Sequence, residues 1–196
     1  MKGQVLVDFV AKFSPKSEGE MVCHVECHPW RVFVDGASSA MGVGAGIVII
    51  TLKGIRLEHS FRLGFRASNN KAVYEALLAG LKTVLGMGAW DVEAYLDSRL
   101  VVNQVQGSFK ARDSRMKECL QVVKRVMGKF SSAKVIQVAR GQNRHADSLA
   151  TLALAMTEDV PRIIKVELII EPSINTMTDA SIVEICVTAV STVEPC

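Results

Sequence analysis

The stretch Trp30-Arg31-Val32-Phe33-Val34-Asp35-Gly36-Ala37-Ser38 decides how the rest of this chain is read. Residues 31 to 35 have the β-branched and aromatic pattern of a strand, and they carry one carboxylate, Asp35, to its expected end. Gly36 is expected to let the backbone turn sharply there. The apolar run from Val43 to Thr51 follows as the next strand. An acid at a strand end beside a glycine-rich hairpin does little for stability. It points to a site, against the plainer reading of a turn aspartate.

Working outward, residues 31–35, 44–52 and 55–63 read as three strands, with Lys53-Gly54 as a tight hairpin turn. Asn69-Asn70 then precedes a helical pattern with Val73, Leu77, Leu81 and Val84 on one face, ended by Gly86 and Gly88. Val92 to Leu96 reads as a fourth strand closing on Asp97, and Ser98 can cap a short helix carrying Leu100, Val101 and Val105. Asp113 or Ser114 opens a longer helix whose expected buried stripe is Met116, Leu120, Val123 and Met127. Lys134 to Val138 reads as a fifth strand. Residues 143–156 read as a last helix with Leu149, Leu152, Ala153 and Met156 on one side. A hairpin-rich start followed by β-α-β crossovers predicts an α/β fold: a mixed sheet with helices packed on it.

This core is expected to span residues 30–156. Residues 1–29 read as a tether, with Leu6, Phe9, Val10 and Phe13 at helical spacing and a polar linker from 14 to 29. Residues 157–196, punctuated by Pro161, Pro172 and Pro195, read as an extended tail, with an extra edge strand as the alternative. Cysteines at 23, 27, 119, 186 and 196 make an odd count without framework spacing, which argues for a reducing compartment. No uninterrupted apolar run reaches membrane-spanning length and the first residues lack a secretory core, so an intracellular protein is expected. Cytoplasm and nucleus are not distinguished. Cys23, His24, Cys27 and His28 invite a zinc reading, but their spacing is wrong for the common finger and no second pair follows.

The net charge of +3 hides an uneven distribution. Lys110, Arg112, Arg115, Lys117, Lys124, Arg125, Lys129, Lys134, Arg140 and Arg144 are interrupted by only two acids, Asp113 and Glu118. The run is either a solvated helix face or a phosphate-binding surface.

Three aspartates carry the chemistry. Asp35 and Asp97 end expected strands that can be neighbours, and Asp147 lies in the first turn of the last helix. Clustered carboxylates raise one another's pKa unless a cation sits among them. Oxygen-only ligands suit Mg²⁺ or Mn²⁺, and two such ions about 4 Å apart can hold both the attacking and leaving oxygens of a phosphodiester.

These residues sit in a recognisable frame. Val34-Asp35-Gly36-Ala37-Ser38, Ser68-Asn69-Asn70 with the helix Tyr74-Glu75-Ala76-Leu77-Leu78-Ala79-Gly80-Leu81, Leu96-Asp97-Ser98-Arg99-Leu100-Val101-Val102-Asn103-Gln104-Val105, and Asn143-Arg144-His145-Ala146-Asp147-Ser148-Leu149-Ala150 together resemble type 1 ribonuclease H. The likeness is nearest to the copies in plant gypsy-like retrotransposon polyproteins. The opening Lys2 to Phe9 resembles the segment joining reverse transcriptase to ribonuclease H there, and the tail after 157 resembles the run toward an integrase region.

The resemblance implies a ribonuclease H-like fold, a five-stranded mixed sheet flanked by helices, that cuts the RNA strand of RNA–DNA hybrids with four carboxylates and two Mg²⁺. It implies that Asp35 bridges both metals, that Asp97 orients the nucleophilic water and that Asp147 holds the second metal. It implies hybrid contacts from Asn69 and Asn70 in the minor groove, where 2′-hydroxyls mark RNA. Further nucleic-acid contacts are expected from Arg99, Lys110, Arg112, Arg140 and Asn143. A monomer is expected, with an adjacent reverse transcriptase domain as neighbour and no membrane partner.

One departure matters. The family's fourth carboxylate is a Glu three residues after the second Asn, and here that position is Val73. Glu75, two residues on, is rotated by about 200° and is expected to be an ordinary exposed helix residue. The fold is therefore expected intact with cleavage impaired or absent. Residues 138–143 are too short for the flexible His loop of many cellular members, and His145 reads as a helix-surface residue. Three functions stay open: a hybrid ribonuclease, a catalytically inactive hybrid-binding module, and a protein-interaction remnant.

Overall fold

Alternating β-branched and apolar residues build a hairpin of β1 (Trp30–Ser39) and β2 (Gly42–Ile50), continued by β3 (Arg56–Leu63). The computed structural model describes residues 28–154, 166–174 and 182–185. The apolar spacing at residues 6–13, most of the cluster at 23–28, Met156 and much of the tail lie outside these residues. The chain goes on through α1 (Asn69–Gly86), β4 (Asp91–Leu96), α2 (Arg99–Gln106), α3 (Ser114–Met127), β5 (Ser132–Gln137), a 3₁₀ turn (Arg140–Gln142) and α4 (Arg144–Leu152). This is the element order expected from the periodicities.

The sheet is mixed, in the order β5-β4-β1-β2-β3-β6-β7. β1, β2 and β3 are antiparallel, and β4 and β5 join β1 in parallel. The five expected strands are all present. Two more, β6 (Val166–Ile169) and β7 (Ile182–Ile185), come from the region read as a tail, and β6 is the extra edge strand given as the alternative. β6 pairs parallel with β3, and β7 antiparallel with β6. The edge of β3 offered unpaired backbone groups, and the β-branched run after Pro161 fills it.

Asp35 is not at a strand end. β1 runs on to Ser39, and Asp35 pairs with Gly46 across the hairpin; the turn falls at Ala40 and Met41. Gly36 has another role. A Cβ there would lie 2.4 Å from both the carbonyl carbon of Ala72 and the amide nitrogen of Val73. Only glycine lets the first turns of α1 sit this close to β1.

The other face of the sheet carries a second close approach. Of the expected face, Ala153, just past the end of α4, is buried, while Leu149 and Leu152 are only half-buried and Ala146 and Ala150 are buried in their stead. Small residues on the helix meet glycines on β2: a Cβ at Gly46 would lie 2.0 Å from the Ala146 carbonyl oxygen. This packing brings the start of α4, and so Asp147, down onto the sheet. Gly46→Ala is accordingly expected to cost about 3 kcal/mol or more, read as a fall in the urea midpoint with unchanged slope.

α1 is buried on two sides, against β1 and β2 and against α3. α3 turns Cys119, Val123 and Val126 inward, so of the expected stripe Val123 is buried while Met116, Leu120 and Met127 form the half-buried margin. Cys119 acts here as a small hydrophobe, with burial pushing its thiol up to about 11. Among the described residues no helix is long and apolar enough to cross a membrane.

Candidate functional site

The parallel register of β1 and β4 sets the first two acids side by side. Phe33 pairs with Tyr95, so two residues further along, Asp35 and Asp97 stand level where β4 has ended. The rings of Phe33 and Tyr95 stack at 4.8 Å and close the floor beneath them. Ser98 then caps α2, its hydroxyl accepting from the Val101 amide, which bends the chain away just after Asp97. The third acid arrives from the other side. Asn143 precedes α4 and donates its Nδ2 to the Val34 carbonyl oxygen at 3.0 Å, tying the helix start to the strand residue before Asp35.

Asp35 is 7% exposed. Burial first, then the charge of Asp97 and more weakly that of Asp147, push its carboxyl up to about 7; the Gly36 amide, donating to Oδ1 at 2.8 Å, opposes this. Asp147 is close enough to share a hydrogen bond with Asp35 when a proton is present. Of the three aspartates predicted from sequence, Asp97 and Asp147 are therefore both neighbours of Asp35. They stand at the range of repulsion, not of shared ligation: among the described residues no group of three or more His, Cys, Asp or Glu is gathered so as to hold a metal ion as it stands.

Position 73 lies along the same corner, since its amide nitrogen abuts Gly36, one residue from Asp35. Val73 is 2% exposed and belongs to the apolar core. Glu75 does not replace it. Its carboxylate is on another side of α1, as the helix rotation requires, but it is not exposed: it is fully buried and accepts from the Ser173 amide. The expectation of a solvated residue fails because α3 and the segment after β6 cover that side of the helix.

The expected nucleic-acid contacts separate into two groups. Asn69, Arg99, Lys110, Arg112 and Arg140 are exposed, and Asn70 is half-buried at the start of α1. Arg140 also approaches Asp147, at 3.8 Å. Asn143, by contrast, is 1% exposed and gives its Nδ2 to the Val34 carbonyl, which positions α4, while its Oδ1 has no hydrogen-bond partner. His145 pairs with Glu58 at 2.8 Å on the α4 surface. A cleft beside the α1 start is lined by Arg66, Ser68, Lys71 and Arg115, with Asp113 at its edge. Arg66 and Lys71 were not singled out from sequence; their flanking of Asn69-Asn70 was the available signal.

Comparison with known proteins agrees with the fold. Residues 33–153 match the family model described as reverse transcriptase-like. Ribonuclease HI of Halobacterium salinarum is 31% identical over 127 residues, covering 63% of each chain. The chain thus spans less than two thirds of that relative's length. The crystal structure of RNase H1 from Halobacterium salinarum superposes with a TM-score of 0.63 at 29% identity, over 66% of this chain and all of that one. LC11-RNase H1, solved in complex with an RNA/DNA hybrid, superposes with a TM-score of 0.58 at 28% identity, over 64% of this chain and 96% of that one.

Proposed function

The chain belongs to the reverse transcriptase-like family of ribonuclease H-like domains, and from that premise we propose that it binds RNA–DNA hybrids across the acid cluster and cuts the RNA strand poorly or not at all. The observation that carries this reading is the corner itself: Asp35 lies buried under the charges of Asp97 and Asp147, while position 73, whose amide nitrogen abuts Gly36, carries an apolar core residue.

The chemistry of the donors suits a hard divalent cation, although the carboxylates would have to draw together to ligate it. Three carboxylates without a thiolate or imidazole suit Mg²⁺ or Mn²⁺, and an Asp35 pressed by like charges is the group such a cation would relieve. Asp35, in the middle, would be the shared ligand, with Asp97 and Asp147 on either side. When bound, the cation supplies positive charge at the scissile phosphate and makes water a better nucleophile. The two-ion arrangement implied by the motifs calls for four carboxylates, and Val73 leaves three.

The remaining residues bind and orient. Asn69 and Asn70 open α1 beside the acids, placed to read 2′-hydroxyls in a minor groove. Arg66, Lys71 and Arg115 offer a cationic cleft to one strand's phosphates, and Arg99, Lys110, Arg112 and Arg140 extend the basic surface. Asn143 keeps Asp147 in place. The four ordered motifs are also the ground for a retrotransposon origin of the plant gypsy-like type and for a reverse transcriptase domain as neighbour.

The test is binding of a labelled RNA–DNA hybrid against duplex DNA of the same sequence in Mg²⁺. A hybrid preference of about tenfold, with affinity falling steeply as salt rises, is expected. Equal affinity for the two duplexes, or none for either, would overturn the reading. Replacing Lys110 and Arg112 together by Ala is expected to lower the slope of log affinity against log salt by about 2, leaving the preference for hybrid unchanged.

A further inference from the structure

Glu75 is an acid with no evident reason to be inside α1. It is 0% exposed in a helix whose other buried residues are almost all apolar. Burying an ionised carboxylate costs several kcal/mol unless hydrogen bonds compensate. Its charged neighbours on α1 are Lys71 and Lys82, and α3 presents Cys119 to it. A hydrogen-bond donor reaches it from elsewhere: the Ser173 amide, at 3.3 and 3.2 Å from the two carboxylate oxygens.

Ser173 belongs to a segment beyond the family match, which ends at residue 153. That segment is fastened at several points. β6 pairs with β3, and the Gly64 amide donates to the Ile169 carbonyl at 2.8 Å. Glu167 lies 3.5 Å from His59. The chain then leaves the sheet edge and reaches α1, where Ser173 meets Glu75 and Ile174 packs on the core. It therefore ties the β3 edge to the helix that carries Asn69 and Asn70 on its first turn.

We propose that residues 166–174 are a strap that locks α1 to the sheet through the Glu75–Ser173 hydrogen bond, which makes Glu75 a positioning residue for the start of α1. The backbone of α1 at residues 72 and 73 already rests on Gly36, so small shifts of this helix are transmitted to the corner beside Asp35. The strap holds the helix from the opposite side. Only the consequence for hybrid affinity rests on the function proposed above.

The experiment is amide hydrogen exchange on the full chain, comparing wild type, Glu75→Leu and Glu75→Gln. In wild type, amides of residues 167–174 are expected to exchange about a hundredfold slower than an unstructured peptide. Glu75→Leu keeps the volume and removes both acceptors, so this segment should lose about tenfold in protection while β1 and β4 keep theirs. Glu75→Gln retains one acceptor oxygen and should keep most of the protection. If Glu75→Leu does not fold, Ser173→Pro removes the same bond from the strap side and must give the same local loss. Glu75→Leu should also weaken hybrid binding at least threefold at an unchanged salt slope.

An unprotected segment in wild type would overturn the strap, as would Glu75→Leu leaving its exchange unchanged. Equal loosening of β1 and β4 would make Glu75 a core residue and nothing more. Lost strap protection with unaltered hybrid affinity would overturn its positioning role. A wild type that ignores hybrids would sink the functional proposal and leave the exchange result standing.

Discussion

Val73→Glu should raise Mg²⁺-dependent cleavage of an RNA–DNA hybrid by roughly 10²- to 10³-fold over wild type. The substitution restores a carboxylate at the corner where the α1 backbone abuts Gly36, beside Asp35. A fourth anionic ligand deepens the field that gathers cations and adds a contact to the attacking water, which are transition-state effects. The gain should therefore appear in kcat more than in KM. It carries a cost. Val73 is 2% exposed inside the apolar cluster, so a Glu there is a buried charge when no cation is present. The variant should melt lower than wild type in chelator and recover most of the difference in Mg²⁺. A wild type already as active as the variant would mean that Val73 is no lesion.

Asp35→Asn should abolish that restored cleavage, yet stabilise the cation-free fold at neutral pH. Asp35 titrates near 7 in the fold and near 3.8 when unfolded, because of burial, Asp97 and then Asp147. The folded state binds this proton more tightly. Its stability advantage is complete below about pH 3.8 and is lost as pH rises through about 7. The loss is on the order of 4 kcal/mol, less whatever the neighbours yield by moving. Asparagine keeps an acceptor for the Gly36 amide and carries no charge. In chelator at pH 8 the variant should melt above wild type by roughly 5 °C, with the gap closing toward pH 4. Parallel melting curves across that range would show that the three carboxylates do not repel one another as described.

These predictions rest on features of unequal visibility. The acids could be placed together from sequence because strand and helix periodicities fixed the element order, and parallel pairing of β1 with β4 then set Asp35 level with Asp97. What periodicity cannot express is how closely two backbones approach. Gly36 read as a turn signal, whereas the lack of a Cβ at Gly36 and at Gly46 admits α1 and α4. For the same reason the inner face of α4 was expected to include Leu149 and Leu152 beside Ala153, and it lies on Ala146 and Ala150 with Ala153. Small residues carry a weak hydrophobic signal but decide distance.

Residues whose surroundings come from far along the chain were also misjudged. Glu75 looked solvated because its cover, Ser173, lies 98 residues away. β6 looked like tail because its partner, β3, precedes it by about a hundred positions and no local turn announces the pairing. Asn143 was expected at the ligand, and its Nδ2 is held by the Val34 carbonyl from far along the chain. Val73, in contrast, was legible: a single apolar residue in a motif position, whose burial follows directly from its place on the inner face of α1.

The most direct test of the account is titration of the wild-type chain with Mn²⁺, followed by the paramagnetic signal of the free ion at pH 7.5. Saturable binding is expected, lost in Asp35→Asn and tightened in Val73→Glu. Binding of equal strength in wild type and Asp35→Asn, or none in wild type at millimolar Mn²⁺, would contradict a shared cation-gathering centre at Asp35, Asp97 and Asp147.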